Sequence, residues 1–471
     1  MLKFSSSSTA ICDSASKQLL TGAALTEKIG QFAEHITGPG KSLVFCFCAN
    51  DISSVISYLA ALSSGQAIAL FDANLNTEQK SNLVAAYQPE FVVDSKSNAS
   101  ASSTYAGYEL IQSSLPDLPV LSLKSGSGTS IHPDLGVLLP TSGTTGSPKL
   151  VRLSYGNLEA NARSICTVLK IGQSDRPIMN LPMHYSYGLS VLNTHLLAGA
   201  TVILTNENIL SERFWQVVRD HECTSFAGVP YAYEILQRLD LEQLCVPRLK
   251  KFTQAGGKLN SSLVEKFDKL IKARGGEFFV MYGQTEATAR ITVLPPDRLS
   301  EKLGSVGVAI PGGSLCVKRG TTSVSPDSPG EIIYSGANVM MGYANARKDL
   351  ALGDELGGTL HTGDLGYLDQ EGYLYITGRL KRIAKVLGYR INLDEIELLL
   401  AKFFPAAVIS DDQRIIVFCE GGDNKAFEAS RQYLVDQLHL NPSIFDFRIV
   451  EKLPKTSNDK IEYSRLQTNV K

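Results

Sequence analysis

The residues most able to do chemistry lie in four short stretches. The first follows the apolar run Val137–Leu139 and reads Thr141, Ser142, Gly143, Thr144, Thr145, Gly146, Ser147, Pro148, Lys149. Glycines permit positive φ and close approach of backbone N–H groups, and successive N–H groups in such a turn form a nest for an anion. The hydroxyls add donors, and Lys149 supplies a point charge suited to a polyphosphate. It is not a Walker loop, because Pro148 stands where G-x-x-x-x-G needs its second glycine. A flexible surface turn has the same composition, so residue types alone leave both readings open.

The second stretch is Met281-Tyr282-Gly283-Gln284-Thr285-Glu286, after the apolar run Phe278–Val280. A strand end carrying these residues suits a ligand at the carboxyl edge of a parallel sheet. Tyr282 offers a ring face to a base, Thr285 a hydroxyl to a phosphate, and Glu286 a hard oxygen to Mg²⁺. The third stretch runs from His361-Thr362-Gly363-Asp364 to Gly378-Arg379. Tyr367-Leu368 and Tyr373-Leu374-Tyr375 flank Asp369-Gln370-Glu371-Gly372, a hairpin signal with its turn near Glu371. Asp364 and Arg379 are nearly equidistant from that turn, so strand pairing brings them together. They could grip a ribose diol, or form a plain cross-strand ion pair. The fourth is Lys455-Thr456-Ser457-Asn458-Asp459-Lys460 near the end, which composition alone reads as a solvated loop.

The elements that position these residues follow from the pattern of apolar runs. Leu43 to Cys48 reads as a buried strand, Ser53 to Leu62 as a helix, and Ala67 to Phe71, Phe91 to Val93 and Thr201 to Leu204 as further strands. This alternation argues for parallel sheets with covering helices. The serine- and glycine-rich segment from Ser95 to Asp134 reads as a connection with one short strand. From Gly304 the texture changes to GSLCVK, EIIYSG and GYLYITG, which suggest hairpins and a small barrel or sheet. Helical spacing returns in Leu393, Ile396, Leu400, Phe403 and around Phe427, Leu434, Leu438. The expected architecture is α/β: a large N-terminal domain, 1–378, of parallel-rich sheets covered by helices with a small β-barrel-like subdomain, then a small α+β domain, 379–471.

TSGTTGSPK resembles the signature loop of the adenylate-forming superfamily of AMP-dependent synthetases and ligases, which includes acyl- and aryl-CoA synthetases. The likeness extends through most of the chain, including the Y-G-x-T-E block. It implies that Thr141–Lys149 hold the ATP phosphates, and that Ala255-Gly256-Gly257, Tyr282 and Gly283 flank adenine. It further implies that Thr285 and Glu286 serve the α-phosphate and Mg²⁺, and that Asp364 and Arg379 hold the ribose. Lys381 falls on the family's hinge, which makes the C-terminal domain mobile. Gly388 falls on the glycine that admits a pantetheine arm, and Lys460 on the catalytic lysine. The sequence departs from the family pattern with Leu150 after the signature loop and Asp459 before that lysine, both positions usually glycine.

The implied reaction converts a carboxylic acid and ATP into an acyl-adenylate and pyrophosphate, then passes the acyl group to CoA or to the phosphopantetheine of an acyl or peptidyl carrier protein. An amine acceptor and an inactive nucleotide-binding module are the rivals. The stretch Pro182-Met183-His184-Tyr185-Ser186-Tyr187-Gly188-Leu189 matches the family's acid-pocket segment with its histidine and aromatic transposed. Tyr185, Gly188 and, downstream, Val229, Tyr231 and Tyr233 are candidates to line the acid and thiol pocket, with ordinary core as the bland reading. Gly188 stands where amino-acid-activating members carry Asp, so the acid is expected to lack an α-ammonium. The basic residues Arg379, Lys381, Arg382, Lys385 and Arg390 suit CoA phosphates or an acidic carrier.

Composition bounds the rest. The chain has 471 residues and a net charge of −2, so it divides into domains and carries no bulk attraction to nucleic acid. No apolar run approaches the roughly 20 residues that span a bilayer, and no secretory signal opens the chain. The default expectation is a cytoplasmic protein. Eight cysteines in this length do not suggest a disulfide scaffold, and Cys46 and Cys48 read as apolar strand positions.

Overall fold

The computed structural model describes residues 9–94, 105–111, 120–124, 130–140, 149–239, 241, 244–386, 389–411, 413–438, 440–456 and 460–468. The chain forms two compact units, Met1–Ser314 with Tyr334–Leu360, and Leu315–Ile333 with His361–Lys471.

The first unit is built on two large sheets. One has nine strands, whose centre runs Glu277–Tyr282, Lys251–Gln254, Ser225–Gly228, Pro177–Met179 and Val202–Leu204. These five are mutually parallel. The other has eight strands and centres on Leu135–Pro140, Ala67–Asp72, Leu43–Cys48 and Phe91–Asp94, again parallel. Leu43–Cys48 is buried at every position, as a central parallel strand covered on both faces must be. The helix after it, Ile52–Ser63, starts where Asp51 accepts the Ser54 N–H at 2.7 Å. One apolar core reaches both sheets through Val44, Ile68, Ile203's neighbours Val202 and Leu204, Phe279 and the helical Val55 and Leu192.

The serine-rich connection differs from expectation. It contributes two strands, Tyr108–Ile111 and Val120–Leu123, which pair antiparallel and extend the eight-stranded sheet beside Phe91–Asp94. Each is only four residues long, so a short edge hairpin is hidden by its polar surroundings. Cys46 and Cys48 are buried strand residues, and the eight cysteines are free.

In the second unit, Leu374–Arg379 pairs antiparallel with Thr359–Leu368 at the edge of a five-stranded sheet. The pairs Ile383–Val386 with Tyr389–Asn392, and a three-stranded sheet of Ala406–Ser410, Ile415–Glu420 and Phe445–Val450, follow. The expected helices are Leu393–Leu400, which buries Leu393, Ile396 and Leu400, and Asn424–Leu438. Phe403 lies beyond the first helix and is exposed. Among the described residues no helix is long and apolar enough to cross a membrane.

Candidate active site

Three parallel strands of the nine-stranded sheet end side by side at Gly228, Gln254 and Tyr282. The loops beyond their carboxyl ends carry Val229, Gly256 with Gly257, and Thr285 with Glu286. This is where ligands bind in open α/β sheets. Gly283 turns the chain out of its strand: a methyl group there would lie 1.8 Å from the Ala289 carbonyl oxygen. Thr285–Ala287 then forms a single 3₁₀ turn. Asn338 fixes that turn from behind, donating to the carbonyls of Ala287 and Arg290 at 2.9 Å each. Thr288 donates to the Asn338 carbonyl at 2.7 Å.

Glu286 is held by a partner that sequence reasoning did not find. The Tyr343 hydroxyl donates to Glu286 Oε1 at 2.9 Å. Lys149 Nζ lies 3.4 Å from the centroid of the same Tyr343 ring. Burial, then the charge of Glu286, pushes the Tyr343 phenol well above its ordinary range, so it remains a donor. Tyr343 lies in the strand Gly342–Ala344, which pairs with Leu150–Ser154 just after Lys149. The strand pairing, not any motif, brings tyrosine, lysine and glutamate together. Glu286 is one hard carboxylate in a region where no group of three or more His, Cys, Asp or Glu among the described residues could hold a metal alone. That donor set fits Mg²⁺ carried largely by substrate phosphates.

Thr285 Oγ1 lies 3.2 Å from Ser186 Oγ, at the start of the helix Ser186–Leu197. Tyr282 accepts a hydrogen bond from Gln284 Nε2 at 3.1 Å and is half-buried. Gly256 has φ +87°, and a methyl group there would lie 2.6 Å from the Tyr185 hydroxyl. Gly257 packs against Pro230. The transposed pair is thereby resolved. Tyr185 reaches the glycine segment, while His184 is buried beside the Cys48 thiol, with its Nδ1 lacking a hydrogen-bond partner.

Gly188 sits inside the helix Ser186–Leu197, and a methyl group there would lie 2.2 Å from the Pro182 carbonyl oxygen. Its glycine is demanded by that backbone approach. On the same helix, Tyr187, Ser190 and Val191 are among the residues that line a neighbouring cavity. Of the downstream candidates, Tyr233 belongs to the core: it is fully buried against Phe226, Phe267 and Phe278, with its hydroxyl on the Thr253 carbonyl at 2.8 Å. Tyr231 is exposed.

In the second unit Asp364 stands directly opposite Arg379, as the turn count predicts. Asp369 caps the turn, accepting the N–H groups of Glu371 and Tyr373 at 2.9 Å each, and Gly372 takes φ +82°. Arg379 Nε donates to Asp364 Oδ1 at 3.2 Å. Asp364 is 6% exposed and Arg379 65%, so an anchored acid meets a base open to solvent. Lys460 bonds back to Thr456, with the Thr456 N–H on the Lys460 carbonyl at 2.8 Å and the Lys460 N–H on Thr456 Oγ1 at 3.2 Å. One member of the basic stretch is corrected. Arg382 turns inward, donating to Asp394 at 2.7 Å, to Glu397 at 2.5 Å and to the Val408 carbonyl at 2.6 Å. Thr141, Ser142, Gly143, Thr144, Thr145, Gly146 and Gly388 lie outside the described residues, as does the side chain of Lys381.

Comparison with known proteins agrees with this arrangement. The AMP-binding enzyme family matches residues 3–344, and the chain belongs to that family. It is an enzyme of the acid–thiol ligase kind, and its resemblance to the adenylate-forming superfamily holds. The 2-succinylbenzoate–CoA ligase of Bacillus pumilus is 31% identical over 343 residues, covering 70% of this chain and 68% of that one. The oxalate–CoA ligase of Arabidopsis thaliana is 28% identical over 407 residues, covering 81% and 78%. The fold is that of o-succinylbenzoate CoA synthetase from Bacillus subtilis, solved with ATP and magnesium ion: the TM-score is 0.77 at 23% identity, over 98% of this chain and 96% of that one. ATP-bound MatB from Rhodopseudomonas palustris gives 0.78 at 21%, over 98% and 95%.

Proposed function

We propose that this chain is an ATP-dependent acid–CoA ligase that works through an acyl-adenylate. The observation that carries the reading is the convergence of Lys149, Tyr343 and Glu286 beside Thr285 at the carboxyl edge of the parallel strands. A polyphosphate needs cationic and hard-oxygen partners together, and a core has no use for that combination. The similarity to ligases named for CoA supports CoA as the acceptor.

In this reading Thr141–Gly146 and Lys149 hold the ATP phosphates, Gly256, Gly257, Tyr282 and Gly283 bound the adenine site, and Asp364 with Arg379 hold the ribose. Tyr343 orients the Glu286 carboxylate, which would hold Mg²⁺; when bound, that ion neutralises phosphate charge. Thr285 donates to the α-phosphate, and Tyr185 stands between the adenine segment and the acid. Lys460 stabilises charge gathering on the α-phosphate while the carboxylate attacks and pyrophosphate leaves. The domains 1–378 and 379–471 then turn about a hinge near Lys381, and Gly388 admits the pantetheine thiol of CoA. Acid-dependent exchange of labelled pyrophosphate into ATP tests the first half-reaction. Exchange that no carboxylic acid stimulates overturns the reading.

A further inference from the structure

Among the described residues, three arginines of the first unit are deeply buried, and two of them are neutralised. Arg152 pairs with Glu355 and donates to the carbonyls of Tyr343 and Gly353, and Arg347 pairs with Glu90 at 2.6 Å. Arg290 is different. It is 2% exposed, its Nε has no hydrogen-bond partner, and no carboxylate among the described residues pairs with it. Its guanidinium carbon lies 4.6 Å from the centroid of the Tyr187 ring. Its backbone is held on both sides, because Asn161 and Asn338 donate to its carbonyl at 3.1 and 2.9 Å. Its main chain is thereby anchored to the turn that carries Thr285 and Glu286.

Arg290 borders a small cavity of about 20 Å³ together with Tyr187, Ser190, Val191 and Thr253. The other ionisable groups there cancel. Lys251 is matched by Asp175 at 3.3 Å, and burial holds His195 neutral, with its pKa drawn down to about 4. The wall keeps one uncompensated positive charge. Tyr187 follows Ser186, whose hydroxyl lies 3.2 Å from that of Thr285, so the cavity adjoins the place where the acid is to be activated.

We propose that Arg290 receives a second carboxylate of the acid, so that the substrate class is a dicarboxylic acid. One carboxylate is adenylated and the other pairs with the guanidinium. A buried, unpaired charge is costly, and a carboxylate matches the guanidinium fork with two hydrogen bonds. An alkyl tail would leave that charge unpaired. This inference rests on the acid-activating reading above.

The test is acid-dependent pyrophosphate release from the full chain, using chain-length-matched acids such as succinate against butyrate and glutarate against pentanoate. The expected result is a kcat/KM for each dicarboxylate on the order of 10- to 100-fold above its monocarboxylate, the scale of hydrogen bonds to a charged group. Arg290→Met should erase that preference through KM for the acid while KM for ATP stays within about twofold, and Arg290→Lys should retain part of it. Equal turnover of matched mono- and dicarboxylates by the natural chain overturns the proposal, even if the variants fail to fold. So does a dicarboxylate preference that survives in Arg290→Met. If no acid of either kind releases pyrophosphate, the adenylating reading fails instead, and calorimetric binding decides Arg290. Succinate binding that Arg290→Met abolishes then supports the carboxylate site; equal binding of succinate and butyrate overturns it.

Discussion

The Tyr343 hydroxyl donates to Glu286 Oε1 at 2.9 Å, while the face of its ring carries Lys149 Nζ at 3.4 Å from the centroid. One side chain thus sets the distance between a cation at the end of the glycine-rich loop and a carboxylate at the end of a parallel strand. Removing that hydroxyl should loosen the carboxylate. Tyr343→Phe is expected to weaken adenylation by up to ~1.5–3 kcal/mol, the range for a hydrogen bond to a charged group. The melting temperature should stay close to that of the natural chain. Pyrophosphate exchange at varied Mg²⁺ is the check, with the loss shrinking as Mg²⁺ rises.

Glu286→Gln keeps the shape of the side chain and removes its charge. Adenylation should fall sharply with little effect on folding, because Glu286 is half-buried and its carboxylate is held by the neutral Tyr343 hydroxyl, which an amide oxygen can also accept from. Unchanged pyrophosphate exchange in this variant would remove Glu286 from the metal role.

Gly283 and Gly188 make a complementary prediction about folding. A methyl group on Gly283 would meet the Ala289 carbonyl, and one on Gly188 the Pro182 carbonyl, in both cases backbone that cannot rotate away. Each alanine substitution should cost stability near the upper end of ~1–3 kcal/mol for overpacking. Thermal unfolding measures this. Unperturbed melting of both variants would contradict the packing.

These residues show what the sequence makes legible. The strand Leu43–Cys48 and the helix after it are local patterns, and the structure forms them nearly as read. The register of Asp364 on Arg379 follows from counting outward from one turn. Tyr343 is another matter. It lies 57 residues from Glu286, and a strand pairing between Gly342–Ala344 and Leu150–Ser154 delivers it. No spacing rule encodes such a long-range antiparallel contact. Arg290 did leave a trace, as a lone charge between Ala289 and Ile291 in an otherwise uncharged run from Ala287 to Leu294. A charge inside an apolar run invites the question of what it pairs with. The basic stretch misled at Arg382, because charge clustering along the chain says nothing of which guanidinium turns inward.

Arg382 therefore predicts a local stability effect. It joins the residue after the proposed hinge to Asp394 and Glu397, and Tyr463 also donates to Glu397, at 2.8 Å to Oε2. Arg382→Ala leaves Glu397 buried without its cation, a loss on the order of 3 kcal/mol. Amide hydrogen exchange should speed up in the helix Leu393–Leu400. If protection of that helix is unchanged, the network does not hold it.

The proposed turning of the C-terminal domain separates two half-reactions. Lys460→Ala should suppress adenylation by at least ~2–4 kcal/mol of barrier while sparing thioester formation from a supplied acyl-adenylate. Gly388→Leu should do the reverse. Equal damage to both half-reactions in both variants contradicts the two-pose account.

The most direct measurement is to incubate the full chain with ATP, Mg²⁺, CoA and a panel of mono- and dicarboxylic acids, and to resolve the nucleotide and thioester products by chromatography. Acid-dependent formation of AMP, pyrophosphate and acyl-CoA in equal amounts is the predicted result. Conversion of ATP to ADP and phosphate, or ATP turnover that no acid in the panel stimulates, would contradict it.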